Sequence, residues 1–170
     1  MKLKRLALAL CVVVPLAVVG LAVAANVFDD AKQATARFHH LNHAVAAGYG
    51  EFRDAQGIAC IELPGTGAMG VHYVNGSLVG DAVLDTRRPE ALVYERRGQN
   101  MHLVALEYIV FKSVWEDAGN TEPPRLFGRE FDLVPEPNRF ELPPFYALHA
   151  WAWKGNPSGD FFAWNPRVDC

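Results

Sequence analysis

The chain is 170 residues long, 51% hydrophobic and 21% charged, which excludes a disordered or low-complexity protein and suits one domain with its own core. Its net charge is −3, but three of its 16 basic residues, Lys2, Lys4 and Arg5, fall in what reads as an export leader, leaving thirteen against 19 acidic ones. That balance argues against nucleic acid as a partner, because phosphate binding needs a basic face.

Met1–Arg5 forms a positive n-region, Leu6–Ala25 an unbroken apolar run, and Ala22-Val23-Ala24 a small-x-small cleavage site. Residues 1–24 therefore read as a signal peptide and 25–170 as a single domain, periplasmic or secreted. The competing reading is an uncleaved anchor, since a run of this length can span a bilayer. It is the one route to a membrane that the sequence offers. Next comes a helix over Ala31–Ala47, capped by Asp30 with Gln33 three residues on and stopped at Gly48. Its apolar stripe is Ala34, Phe38, Leu41 and Val45.

Beyond Tyr49 the pattern changes to short strands: Ile58–Ile61, Val71–Val74, a hairpin of Leu92–Arg97 and Met101–Phe111 around Gly98-Gln99-Asn100, and Ala147–Trp153. Six of the 11 prolines lie between Pro123 and Pro144, a stretch whose apolar anchors include Phe131, Phe140 and Leu142. It reads as a long surface connection or a lid, with an interaction module as a further option. A helix followed by antiparallel strands predicts an α+β fold, the helix packed on a curved antiparallel sheet or partly closed barrel.

Outside the leader two cysteines remain, Cys60 and Cys170. An even count in an exported chain predicts a disulfide between them, with two free thiols as the alternative. Gly65-Thr66-Gly67-Ala68-Met69-Gly70 matches the dinucleotide-binding string, but a strand follows it rather than the helix whose N-terminus would meet the pyrophosphate. The glycines instead shape a loop leading into His72.

Strand alternation assigns the chemistry-bearing side chains to faces. Leu103, Ala105, Glu107, Ile109 and Phe111 share a face, so Glu107 is the lone acid in an apolar row and has to be paired, protonated or bound to a metal. His72 shares a face with Val74, with Val71 and Tyr73 opposite, and His149 shares one with Trp151 and Trp153. His72, His149 and Glu107 thus come from three strands, and His39 on the helix completes a three-His, one-Glu set suited to Zn, Fe, Mn or Cu. His39, His40 and His43 also fit a solvated helix face, and His72 or His149 alone fits a core histidine bonded to the backbone. A metalloenzyme would need an open coordination position and a nearby polar group, for which Tyr73 or Tyr108 is the candidate; binder versus enzyme is left open. The rival is a non-enzymatic pocket holding a small apolar molecule against Trp151 and Trp153, with Glu107 and the histidines as its hydrogen-bonded floor.

Ala34–His39, Gly67–Asn75, Pro89–Glu95, Val104–Phe111 and Leu148–Cys170 resemble a family of exported bacterial proteins of unassigned function. The closing pattern Leu-His-x-Trp-x-Trp-Lys-x-Asn-Pro-x-Gly, then Trp-Asn-Pro-Arg-Val-x-Cys, is the most distinctive part. The resemblance spans most of the chain beyond the leader. It implies export and directs attention to His39, His72, Glu107 and His149, while His40 and His43 fall outside the pattern.

Overall fold

A computed structural model describes residues 28–170. The leader and its cleavage site lie outside the described residues. Residues 28–35 are helical (α1), a 3-10 turn follows over Ala36–His39, and α2 spans Leu41–Ala46. The expected single helix is therefore broken at His40, whose extended backbone (φ −94°, ψ 106°) ends one segment and caps the next. Asp30 lies within α1 and does not cap it. The break also re-phases the buried face. Ala31, Thr35, Phe38 and Ala44 are buried, whereas Val45 is 56% exposed. The helical stretch ends before Gly48 as expected, with a positive φ there (93°) that glycine adopts without strain.

Nine strands follow: β1 Gly50–Glu51, β2 Cys60–Leu63, β3 Gly67–Val74, β4 Ala91–Arg97, β5 Asn100–Phe111, β6 Arg125–Leu126, β7 Arg129–Glu130, β8 Asp132–Val134 and β9 Phe145–Ala150. Short helices α3 (Gly76–Val79) and α4 (Lys112–Asp117) sit between them. All but β6 and β7 join one antiparallel sheet in the order β1-β3-β4-β5-β9-β8, with β2 beside β1 on the outer edge of β3. The α+β expectation holds. The sheet is open and does not close into a barrel.

The sheet has two differently used faces. On one, Tyr73, Leu92, Tyr94, Leu106, Tyr108 and Leu148 form the main core with Ala31, Phe38, Ala44 and Tyr49 from the N-terminal segment. Three of the buried tyrosines each donate to a backbone carbonyl: Tyr94 to Phe38, Tyr49 to Pro89 and Tyr108 to Thr86, all at 2.7 Å. Their rings bury like hydrocarbon while no hydroxyl is left unmet. The opposite face carries a smaller cluster of Ala68, Val93, Val104, Ala105, Trp151 and Val168. Leu103 was expected there beside Ala105. It packs in the main core instead, because a bulge between Val93 and Tyr94 shifts the register of β5 by one residue.

The glycine string Gly65–Gly70 leads into β3 and continues within it. Added methyl groups would come within 2.4 Å of the Asn165 backbone at Gly67 and 2.7 Å of the Tyr94 carbonyl oxygen at Gly70. These glycines thus let the C-terminal tail and β4 approach β3. Asn165 forms a bridge with Ala68, and the side-chain amide of buried Asn156 donates to Phe162 and Trp164 carbonyls. Cys60 on β2 is bonded to Cys170, Cα–Cα 5.5 Å. The asparagines of the distinctive C-terminal pattern are thus tail-folding residues.

Candidate metal centre and its cavity

The site is built from strand register. Glu107 on β5 faces His149 on β9 directly, and on its other side faces Ala91 on β4. His72 on β3 is level with Val93, one step diagonal from Ala91. Ala91 has only a methyl group, so the Glu107 carboxylate reaches across β4 to the imidazole beyond it. His72 Nε2 lies 3.1 Å from Glu107 Oε2, and His149 Nδ1 lies 3.9 Å from Glu107 Oε1, beyond hydrogen bonding. The two imidazole rings are 5.9 Å apart and nearly perpendicular. One donor atom from each of the three lies within 4.8 Å of the others.

All three are buried, at 6%, 8% and 4% exposure for His72, Glu107 and His149. A core histidine that serves structure alone should show a backbone partner. Here His72 Nδ1 and both ring nitrogens of His149 have no protein hydrogen-bond partner. Burial pushes the His149 imidazole below its ordinary value, against the pull of Glu107, so it is neutral at neutral pH. Burial opposes ionisation of Glu107, but the neighbouring His72 and His149 outweigh it and hold the carboxylate below its usual range. A carboxylate and a neutral imidazole are the forms in which these side chains ligate metals.

His39 does not join them. It is exposed and stands edge-on to Trp153, ring centroids 4.3 Å apart, and its segment packs through Phe38 on the sheet's other side. His40 and His43 are exposed as well. Trp151, Trp153, Tyr73 and Tyr108, expected to line a ligand pocket, are also absent from the lining of the cavity described below, whose aromatic residues are phenylalanines. Tyr73 and Tyr108 lie in the main core, opposite Glu107, as the parity of their own strands requires. Strand β9 ends at Ala150, and the alternation that would have put Trp153 beside His149 lapses with it. Trp151 still stacks on His149 at 4.7 Å, while Trp153 turns to the main core and reaches Thr35 Oγ1 at 3.4 Å.

The three side chains line a cavity of about 530 Å3. Along β5 it continues past Ile109 to Phe111, and along β9 past Ala147 to Phe145. Its far wall comes from loops: Phe52 and Phe140 stack at 5.5 Å, and Phe140 meets Phe145 at 6.1 Å. Phe140 and Leu142 belong to the proline-rich stretch, which thus contributes strands β6, β7 and β8 and a wall of the cavity. Asp54, with 1% of its side chain exposed, ties that stretch down by accepting from Arg139 Nη2 at 2.6 Å, while the Arg139 carbonyl accepts from Ala55 N–H. The apolar anchors of this stretch were visible in the sequence, but nothing local said which face they would cover.

No helix among the described residues is long and apolar enough to cross a membrane. No protein family, curated protein or solved structure matches the chain, so its chemistry is read from this geometry.

Proposed function

We propose that this is an exported protein that binds a divalent transition metal through His72, Glu107 and His149. The observation that carries the reading is the convergence of three buried donors whose imidazoles retain three nitrogens without protein partners. Leaving such groups unmet costs about 1–3 kcal/mol each, and one metal ion would take one nitrogen from each imidazole together with an oxygen of the carboxylate. Ligated donors sit ~2.0–2.2 Å from the ion, and small side-chain rotations would bring the three donors to those distances. With His39 elsewhere the protein supplies three ligands, the number found in sites that keep a position for water or substrate. Zn, Fe, Mn and Cu all suit this donor set. The Cys60–Cys170 bond supports an oxidising, extracytoplasmic location.

The rival reading, an apolar-ligand pocket with a hydrogen-bonded polar floor, draws on the cavity. Its floor, however, is not hydrogen-bonded at His149. Elemental analysis of protein purified without chelators, for the natural chain and Glu107→Gln, tests the proposal. Near one equivalent of metal in the first and a small fraction of it in the second is expected. Metal-free natural protein that also fails to take up zinc, manganese, iron or copper would overturn it.

A further inference from the structure

Resting on the metal reading, we infer that the cavity takes a predominantly apolar, elongated small molecule with one metal-coordinating group at its end. The strand-borne lining of the cavity changes along its length. His72, Glu107 and His149 stand together, two steps along β5 and β9 the walls are Phe111 and Phe145, and the acid between them is the exposed Asp132, level with Ala147. Two such steps of two residues each span about 13 Å, which sets an extended shape for the occupant.

The charges fix the nature of the head. The acidic residues lining the cavity are Glu51, Glu107 and Asp132, and no lysine or arginine lines it. An anionic head without a metal would therefore meet carboxylates and no fixed cation. With a divalent ion, one carboxylate and two neutral imidazoles the head position carries net positive charge, and a donor that sheds its proton on coordination is favoured there. The tail meets aromatic and aliphatic walls, where each buried methylene adds affinity. A polar tail would leave its own groups unmet.

Two aliphatic hydroxamic acids serve as probes, sharing a head and differing in tail: octanohydroxamic acid and acetohydroxamic acid. Calorimetric titrations are run on zinc-loaded and metal-free protein, with zinc stoichiometry measured separately by elemental analysis. The octano probe is expected to bind zinc-loaded protein at least ~100-fold more tightly than the aceto probe, and metal-free protein at least ~10-fold more weakly. Ala147→Phe and Leu142→Trp each put bulk into the apolar length of the cavity. Either variant that retains one zinc should lose most of the preference for the longer probe. If zinc binds and the two probes bind alike, the ligand inference fails while the metal reading stands. If zinc does not bind and the octano probe binds metal-free protein, the metal reading fails and takes the head assignment with it.

Discussion

Glu90 sets a pH dependence of folding that can be worked out from its surroundings. It immediately precedes β4 and is fully buried. Its Oε2 accepts from the Ile109 N–H at 3.0 Å, and its Oε1 has no protein partner. Burial pushes its carboxyl up from 4.5 to about 8, with the Ile109 hydrogen bond pulling weakly the other way. The folded state thus holds a proton that the unfolded chain releases near pH 4.5. For an acid with a raised folded pKa, stability is complete below the unfolded value, falls as pH rises through the interval between the two, and levels off above the folded value. At about 1.4 kcal/mol per pH unit, the charge costs the fold about 3–4 kcal/mol between pH 5 and pH 8. Glu90→Gln keeps an acceptor for Ile109 and does not titrate. Urea unfolding of both proteins, with chelator present at pH 5 and pH 8, isolates the term because every other group cancels. The variant should gain about 3–4 kcal/mol relative to the natural chain over that interval. A difference constant to within about 1 kcal/mol would refute the argument that Glu90 folds protonated.

His149→Leu removes two unpartnered buried nitrogens at similar volume, so the metal-free protein should gain about 1 kcal/mol or more. Thermal denaturation should also show the zinc-induced rise in Tm disappear, and a rise equal to that of the natural chain would count against His149 as a ligand. Reducing Cys60–Cys170 opens a long closed loop and should cost about 2–5 kcal/mol in chemical denaturation. Equal stability with and without reductant would contradict this. The Arg139 hydrogen bond holds the Asp54 carboxyl below its ordinary 3.8, so its contribution is present above that value and is lost as pH falls through the lower, folded pKa. Limited proteolysis within residues 135–142 should therefore quicken in Asp54→Asn at neutral pH. Cleavage at the natural rate would mean that the ion pair does not hold this wall.

What the sequence disclosed followed strand parity. His72, Glu107 and His149 were legible because β3, β9 and the part of β5 from Ala105 onward keep a strict period of two. Leu103 was misplaced because one bulge reverses that parity, and nothing local in residues 93–105 announces it. His39 failed for a different reason. Helical period orders residues around a helix but does not say which sheet face the helix covers, and the N-terminal segment packs with Tyr73, Leu92 and Tyr108, opposite Glu107. Trp151 does meet His149 but stays outside the cavity lining, and Trp153 was misplaced because parity was extended past the end of β9. Tyr73 and Tyr108 were assigned to the site against the parity of their own strands, which the main core enforces. The far wall of the cavity joins residues near positions 52 and 140, and the Asp54–Arg139 pair spans 85 positions. Such long-range closures depend on tertiary packing, which local pattern does not encode.

The central claim, that His72, Glu107 and His149 share one metal ion, is tested most directly by anomalous diffraction at the zinc absorption edge from crystals grown with zinc. The account predicts one strong peak among the three side chains, ~2.0–2.2 Å from an imidazole nitrogen of each histidine and from a Glu107 oxygen. A fully ordered protein with no peak there, or with zinc bound only elsewhere, would contradict it.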